Sequence, residues 1–233
     1  MIIGITGFIG SGKDTVANYL VAKHGFVRDS FAGTLKDAVA KVFGWDRELL
    51  EGLTPEAREW REQIDPWWAK RLDMPNLTPR YMLQLWGTEV CRRGFHDDVW
   101  IASLENRLRK TVDDIVISDV RFPNEIATIR KHGGICIWVK RGELPEWYEC
   151  ALRENTTDED RQWLLEDAGQ LMPQRYPKVH HSEWAWIGQT FNYELDNNGT
   201  IDHLYNQVNS LVSDQPASMS IWNQEVRPDS LDK

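Results

Sequence analysis

Short apolar runs alternate with amphipathic segments along most of the chain. An apolar run bounded by glycine or polar residues is typical of a buried strand, whereas apolar positions spaced three and four residues apart are typical of a helix. The predicted strands are Ile2–Thr6 and residues 26–31, 115–118, 135–139 and 191–195. The predicted helices are residues 14–23, 35–43, 79–93, 98–110 and 200–212, with one more that begins at Pro123 and ends at Gly133. Because strands and helices alternate, we expect an α/β fold with a central parallel sheet.

Three segments do not follow this alternation. Residues 45–78 are rich in Trp, Arg and Glu and contain three prolines, which predicts a mainly helical insertion and not part of the sheet. Residues 142–182 are polar and irregular, with an acidic helix predicted near 158–168. The polar residues 213–233 predict a disordered tail after a single domain of residues 1–212.

Composition and charge narrow the class of protein. With 233 residues, 41% apolar and 27% charged, the chain is expected to be a soluble globular protein with one sizeable core or two small ones. No apolar run approaches about 18 residues and no signal peptide is predicted, so we expect no membrane span. Three scattered cysteines indicate reduced thiols in a cytoplasm. The net charge of −9 argues against a general nucleic-acid surface, so a polyanionic ligand would need a local group of Arg and Lys.

The most informative motif follows the first strand. Gly7, Gly12 and Lys13 have the G-x-x-x-x-G-K spacing of a phosphate-binding loop, in which backbone N–H groups and a lysine converge on phosphate oxygens. Asp14 departs from the pattern, because it stands where Ser or Thr ordinarily holds magnesium, and Thr15 follows it. The residues predicted to bind the phosphates are Gly7, Gly10, Ser11, Gly12, Lys13, Asp14 and Thr15. A glycine-rich turn without a ligand is the alternative, and a dinucleotide fingerprint fits the glycine spacing less well.

A carboxylate and two arginines are predicted at the carboxyl edge of the sheet, where open α/β sheets bind ligands. Asp119 follows the predicted strand 115–118 and can hold magnesium through water; a solvated strand-end Asp is the alternative. Arg121 comes two residues later, and Arg141 follows the next strand. A guanidinium at this edge can neutralise a phosphoryl group in transfer, whereas an ordinary surface ion pair is the alternative for Arg121.

A second group of candidates lies on the predicted helix 79–93. Arg80, Gln84 and Thr88 are spaced four residues apart and share one face, so a phosphate-binding arginine would be followed by an amide that can read a base edge. Lys36 is a further candidate for an acceptor phosphate. The alternatives are a solvated helix face and an ordinary surface lysine.

The segment from His180 to Glu183 contains two adjacent histidines and one glutamate. This spacing is not that of a zinc site and no cysteine is near, so we predict a structural or lid role. The chain also shows no Ser-His-Asp arrangement, and transfer to an anionic phosphate oxygen does not require one.

Together these residues resemble the phage-type deoxynucleoside monophosphate kinases over most of residues 1–212. The matching segments are Gly7-x4-Gly12-Lys13-Asp14-Thr15, Ala32-Gly-Thr-Leu-Lys36, Leu83-Gln-Leu-Trp-Gly-Thr-Glu89, Ser118-Asp-Val-Arg121, Asn124-Glu125, Arg141, His180-His-Ser-Glu183 and Asn197-Asn-Gly-Thr200. The animal-type phosphomevalonate kinases are similar in the same places. Thr34 departs from the pattern, because many relatives have Pro at that position.

The resemblance implies a three-layer P-loop kinase fold with a central parallel sheet, a helical acceptor-binding insertion at about 45–95 and a lid at about 142–182. It implies ATP and Mg²⁺ as cofactors and transfer of a phosphoryl group from ATP to a deoxynucleoside monophosphate. Such an enzyme needs no direct contact with nucleic acid or membrane, and it would work in the cytoplasm, that of the host if a phage encodes it. The oligomeric state stays open, with a homodimer as one alternative.

The resemblance also implies individual roles. The implied catalytic residues are Lys13, Asp119, Arg121 and Arg141, and the implied magnesium ligands are Thr15 and Asp119 through water. The implied acceptor site comprises Lys36, Trp68 (or Trp67), Arg80, Gln84, Arg121 and Glu125. Asn198 and Gly199 are implied to border the adenine of ATP.

Two rival interpretations remain at this point. One is another small-molecule kinase, of the phosphomevalonate or dephospho-coenzyme-A type, which the Trp-rich insertion disfavours modestly. The other is a phosphate-loop switch or motor with a macromolecular partner. The chain has no Asn-Lys pair for guanine recognition, and its acidic net charge disfavours a DNA-directed motor.

Overall fold

A computed structural model describes residues 1–156 and 171–214 of the chain. It contains a parallel sheet of five strands in the order β2-β3-β1-β4-β5. The strands are β1 (Ile2–Thr6), β2 (Val27–Asp29), β3 (Ile115–Ile117), β4 (Ile135–Lys140) and β5 (Tyr193–Asp196). The predicted α/β fold with a central parallel sheet is therefore confirmed, and each predicted strand is present with its ends shifted by at most two residues.

The helices occupy the segments between the strands. They are α1 (Lys13–His24), α2 (Gly33–Phe43), α3 (Arg47–Glu51), α4 (Pro55–Glu62), α5 (Pro66–Leu72), α6 (Pro79–Gln84), α7 (Val99–Leu108), α8 (Pro123–Lys131), α9 (Tyr148–Asn155), α10 (Leu171–Arg175) and α11 (Ile201–Ser213). A π-helical segment, Leu85–Arg93, continues α6, and His181–Glu183 forms a 3₁₀ turn. None of the helices in the described ranges is long and apolar enough to cross a membrane.

The chain divides into two compact units. The first unit comprises Met1–Asp29 and the residues from Asn106 onward, and it contains the sheet. The second unit is Ser30–Glu105 and is helical. The second unit includes the segment 45–95 that was predicted as an insertion, and the assignment of that segment to acceptor binding stays a prediction.

Helices cover both faces of the sheet in the first unit. Ile3 and Ile5 of β1 point to the same face, because alternate residues of a strand do so, and they are fully buried in a core that α1 and α11 complete. Gly4 points to the other face, where a Cβ would overlap the side chain of Ile129 in α8. The first unit therefore has three layers, helix, sheet and helix, as predicted.

In the second unit, three short helices begin in the same way. Thr54, Asp65 and Thr78 each accept hydrogen bonds from backbone N–H groups of the first turn, and a proline follows each of them. A capping oxygen satisfies exposed helix donors, and proline fits the first helical position because its missing N–H would be unpaired there. The prolines of residues 45–78 thus mostly mark helix starts, which confirms the predicted helical character.

The predicted helix 79–93 is α-helical only as far as Gln84, and the remainder is π-helical. The Trp100 indole N–H donates to the carbonyl of Gly87 at 2.9 Å, so a side chain takes up an acceptor that an α-helix would use. Thr88 is buried, whereas Arg80 and Gln84 are partly exposed. The shared face of these three residues stays a prediction.

Residues 142–182 are more regular than predicted, because α9, α10 and part of the 3₁₀ turn lie within them. The acidic helix predicted near 158–168 lies entirely outside the described residues. The predicted tail begins inside α11, which extends to Ser213. Its remaining residues, 215–233, also lie outside the described part of the chain.

Candidate active site

The phosphate loop, residues 7–13, joins β1 to α1 in a conformation that requires its glycines. Gly7, Gly10 and Gly12 have φ angles of +146°, +78° and +103°, which residues with a Cβ rarely adopt. A Cβ on Gly7 would lie 2.5 Å from the carbonyl oxygen of Val139, and one on Gly12 would overlap the Asn197 amide nitrogen. The loop therefore has the compact, glycine-dependent path that brings backbone N–H groups toward an anion.

The start of α1 adds to this anion site. The helix begins at Lys13 with Gly12 before it, and Gly12 has no side chain that could cap the first N–H groups. Uncapped N–H groups at a helix N-terminus attract phosphate oxygens. The Ser11 hydroxyl is buried and has no hydrogen-bond partner among the residues that the structure describes, and such a group is stabilised when a ligand oxygen accepts its hydrogen. These groups fit a bound polyphosphate.

Lys13 folds back over the phosphate loop. Its ammonium donates to the carbonyl oxygens of Gly7 at 2.7 Å and Phe8 at 2.8 Å. Burial lowers the pKa of Lys13 to about 8, and the Arg121 guanidinium lowers it further, whereas the carboxylates of Asp14 and Glu183 oppose the shift. The charges of Lys13, Arg121, Asp14 and Glu183 therefore interact electrostatically at the carboxyl end of the sheet.

Asp14 faces the end of β3, where the predicted magnesium element lies. The Arg28 guanidinium donates to the Asp14 carboxylate and, at 2.6 Å, to the Ser118 hydroxyl, which also lies 3.3 Å from Asp14 Oδ1. Ser118 is followed directly by Asp119. Carboxylate and hydroxyl oxygens are ligands that Mg²⁺ prefers. The position of Asp14 at this edge was not predicted, and Arg28 was missed, because only its place at the end of a short strand could have indicated it.

Arg121 is held at both ends. Its backbone N–H donates to the Glu125 carboxylate at 2.7 Å, and the N–H of Phe122 donates to the same oxygen at 3.1 Å. Its guanidinium Nη1 donates to Glu183 at 2.7 Å. Burial alone would lower the pKa of Arg121, but the carboxylates of Glu183, Asp119 and Glu125 outweigh it and raise the pKa. The buried Glu125 thus caps the start of α8, and its predicted contact with a substrate stays a prediction.

The turn after β5 contacts the phosphate loop through Asn197, which belongs to the matching segment Asn197-Asn-Gly-Thr200 but was not predicted to contact the loop. Asn197 donates its side-chain N–H to the carbonyl of Ser11 at 2.8 Å. Asn198, predicted to border adenine, accepts the N–H of Gly142 at 2.7 Å and donates twice to Asp196. The hydrogen bonds of Asn198 therefore stabilise the turn. No contact of Gly199 within the described residues assigns it a role, so its place at the adenine stays a prediction. Proximity of Asn197 to the loop follows from the strand order, which the sequence does not reveal.

Arg141 follows β4 directly, as predicted. Its side chain is exposed and makes no hydrogen bond or ion pair within the described ranges. It is therefore available to a ligand, and its catalytic role stays a prediction.

The predicted acceptor-site residues of the second unit are already engaged there. Lys36 pairs with Glu51 at 2.5 Å, and Arg80 pairs with Glu62 at 3.3 Å. The Trp68 indole N–H donates to the carbonyl of Phe43 at 2.9 Å. By contrast, the side-chain amide of Gln84 makes no hydrogen bond within the part of the chain that is described.

An aromatic group supports the phosphate loop. The Phe8 ring lies 5.6 Å from Trp147, 6.2 Å from Tyr148 and 5.0 Å from Trp186, measured between centroids. Trp147 and Tyr148 stand at the start of α9, inside the segment predicted as a lid. The tryptophans here pack against other aromatic rings and against the loop.

Comparison with known proteins identifies relatives of this chain. No family model matches it. A candidate deoxynucleotide monophosphate kinase of Acanthamoeba polyphaga mimivirus is 35% identical over 155 residues, which cover 60% of this chain and 74% of the relative. The deoxynucleoside-5'-monophosphate kinase of Escherichia phage T5 is 28% identical over 183 residues, covering 56% of this chain and 72% of the relative.

More distant matches are weaker. A dephospho-CoA kinase of Nostoc is 33% identical over 95 residues, which cover 35% of this chain and only 48% of that protein. Among solved structures, shikimate kinase from Aquifex aeolicus has a TM-score of 0.40 and 12% identity, and the match covers 91% of this chain and 96% of that one.

Proposed function

The chain belongs to the deoxynucleotide monophosphate kinase family, and we propose that it transfers the γ-phosphoryl group of ATP to a deoxynucleoside monophosphate. The observation that carries this proposal is the phosphate loop with the buried ammonium of Lys13 and the free hydroxyl of Ser11, in a chain whose relatives are named for this reaction. The products would be ADP and a deoxynucleoside diphosphate.

The donor site in this proposal is the phosphate loop and the turn after β5. The N–H groups of Gly10 and Gly12, the Ser11 hydroxyl and the first turn of α1 bind the β-phosphate of ATP, and Asp14 and Thr15 lie beside it. Lys13 exchanges its two carbonyl partners for phosphate oxygens and follows the γ-phosphoryl group during transfer. Asn198 and Gly199 border the adenine.

Magnesium is proposed to bind at the end of β3 next to the loop. Thr15 and Asp119 would hold it through water, and the Asp14 carboxylate, which faces Ser118, supports a cation at this place. When bound, the ion neutralises charge on the β- and γ-phosphates. The residues of the chain then orient the phosphates and exclude water.

The acceptor monophosphate is proposed to bind to Lys36, Arg80 and Arg121, with Glu125 holding Arg121 in place. Gln84, whose amide makes no described hydrogen bond, would read the base edge. Trp68 was predicted to stack on the base, but its ring packs edge-on against Phe43 at 4.8 Å. Trp67, whose side chain is 62% exposed, offers the more accessible aromatic face.

The reaction needs no general base. An anionic oxygen of the acceptor phosphate attacks the γ-phosphorus, the bond from the γ-phosphorus to the bridging oxygen breaks, and ADP leaves with that electron pair. Lys13, Arg121 and Arg141 stabilise the negative charge of the transferring group. Catalysis then consists of positioning and charge neutralisation.

The test is an ADP-release assay of the purified chain with ATP, Mg²⁺ and each deoxynucleoside and ribonucleoside monophosphate in turn. Dephospho-CoA and phosphomevalonate serve as comparison acceptors, the former because of the partial similarity to a dephospho-CoA kinase. We expect at least one deoxynucleoside monophosphate to give the highest kcat/KM. A higher kcat/KM with either comparison acceptor would refute the proposed function.

A further inference from the structure

The segment His180–Glu183 has no role in the proposed function, although it is built as a specific turn. His180 Nδ1 accepts the backbone N–H of Ser182 at 3.2 Å and lies 2.8 Å from the Ser182 hydroxyl. Because Nδ1 accepts the amide hydrogen, it carries no proton, and the Ser182 hydroxyl donates to it as well. The His180 side chain therefore caps the 3₁₀ turn in the way that Ser or Asp caps a helix.

The turn delivers Glu183 to Arg121. The Arg121 Nη1 group donates to Glu183 Oε1 at 2.7 Å and to the Ser182 carbonyl at 3.4 Å. The His181 ring packs against Phe122, the neighbour of Arg121, with ring centroids 5.7 Å apart. All four residues of the segment thus act on the turn or on the Arg121–Phe122 pair.

The contacts leave one edge of the Arg121 guanidinium open. Within the described residues, its hydrogen bonds are made by Nη1 alone, and the side chain is 37% exposed. The remaining Nε and Nη2 groups form the pair of parallel N–H donors that binds two oxygens of one phosphate. Glu183 thus holds one side of the guanidinium, and the other side is presented to a ligand.

We propose that Glu183 is a positioning residue for phosphoryl transfer, which holds the Arg121 guanidinium so that its Nε–Nη2 edge faces the transferred or acceptor phosphate, and that His180 builds the turn that presents Glu183. This inference rests on the proposed function. A partly exposed ion pair of this kind stabilises the fold weakly, so its principal effect is on the orientation of Arg121.

The direct test compares Glu183→Gln with Glu194→Gln. The control removes a carboxylate of the same unit that pairs with Lys140 at an exposed site. We expect Glu183→Gln to lower kcat about 10- to 100-fold, as a misplaced catalytic contact does, without a rise in the acceptor KM, because the Arg121 guanidinium keeps the positive charge that attracts the phosphate. The melting temperature should change by no more than about 4 °C. A kcat equal to that of Glu194→Gln would overturn the proposal.

A double-mutant cycle shows whether the effect passes through Arg121. We expect Arg121→Gln combined with Glu183→Gln to be no slower than Arg121→Gln alone. Multiplied effects would overturn the proposal.

The His180 variants test whether this residue builds the turn. His180→Asn, which keeps a capping oxygen, should retain wild-type kcat, whereas His180→Ala should lower kcat as Glu183→Gln does. A wild-type kcat for His180→Ala would remove His180 from the proposal.

A readout without turnover separates this inference from the proposed function. NMR relaxation of the Arg121 Nε–H group should report an ordered guanidinium in the wild type and in Glu194→Gln, and a mobile one in Glu183→Gln. Equal order in all three proteins would refute the positioning role even if the enzyme is active. If the wild type shows no turnover with any monophosphate, the proposed function fails whatever the relaxation data show.

Discussion

In the first unit, the Lys13 ammonium contacts backbone carbonyls of its own loop, whereas in the second unit the charged groups of Lys36 and Arg80 are paired with carboxylates. The donor loop also contains the buried Ser11 hydroxyl, which has no hydrogen-bond partner in the described part of the chain. The two regions therefore differ in what a phosphate would displace. At the loop it would replace neutral carbonyl oxygens as the partners of Lys13, whereas at the candidate acceptor residues it would replace carboxylates in ion pairs.

This difference follows from how each region is built. The loop is fixed by backbone geometry, since Gly7 and Gly12 have positive φ angles and no room for a Cβ. Its N–H groups are in place before a ligand arrives, and binding requires little reorganisation. The second unit places its cations through side chains, which can exchange one anionic partner for another. We expect substitutions in the loop to affect turnover strongly and those in the second unit to affect mainly the acceptor KM.

Lys13→Ala should have the largest effect. Removing the ammonium takes away the charge that follows the γ-phosphoryl group, and we expect kcat to fall about 100- to 1,000-fold or more. The fold should persist, because the substitution removes a buried charge whose loss of hydration the two carbonyl contacts and the nearby carboxylates only partly offset. Steady-state kinetics measures kcat, and a thermal melt shows whether the fold persists. Near-normal turnover would show that the loop is not the donor site.

Gly12→Ala should come next, and Gly10→Ala is its matched control. Both glycines have positive φ, but only at Gly12 would a Cβ overlap another residue, Asn197. We expect Gly12→Ala to lower kcat/KM for ATP about 100-fold and the free energy of unfolding by about 1–3 kcal/mol. Gly10→Ala should show a smaller loss in both measurements. Equal effects would mean that backbone strain, and not the fit against Asn197, controls the loop.

A pH profile tests the charge of Lys13. Burial lowers its pKa to about 8, so in the free enzyme the ammonium loses its proton as pH rises through this value. We expect kcat/KM for ATP to fall about tenfold for each pH unit above 8. In the unfolded chain Lys13 has its ordinary pKa of 10.5 and binds more protons between the two values, so its contribution to stability should rise with pH there. A flat profile to about pH 10 would contradict the assignment.

The elements at the phosphate loop could be predicted because their signals are local. The strand Ile2–Thr6 has its predicted bounds, and α1 differs by one residue at each end. Glycine spacing, an apolar run and a lysine are sufficient for such a motif, since the chemistry lies in the backbone.

Contacts between distant segments could not be predicted in the same way. Asn197 reaches Ser11, Arg28 reaches Asp14, and Glu183 reaches Arg121 only because of the order of strands and the turns after them. No periodicity reveals that Leu85–Arg93 is π-helical or that its Gly87 carbonyl accepts the indole N–H of Trp100. Such partners are set by tertiary packing, so the sequence indicated the candidate residues without indicating what holds them.

Arg80→Ala should have a smaller effect than the substitutions in the loop, and it tests the second region. The Arg80 guanidinium is paired with Glu62 and partly exposed, so its loss should raise the acceptor KM about tenfold while the ATP KM changes less than about twofold. Arg93→Ala is the matched control, because Arg93 pairs with Glu89 in the same unit and is 61% exposed.

Glu62→Gln tests the same ion pair from the other side. If Glu62 competes with the acceptor phosphate for Arg80, removing its charge should lower the acceptor KM about two- to threefold, in line with the small energy of an exposed pair. An increase would mean that Glu62 orients Arg80, as we propose for Glu183 and Arg121. The direction of the change in KM therefore decides between two roles of Glu62. Either it occupies Arg80 until the substrate binds, or it already holds Arg80 in position for the substrate.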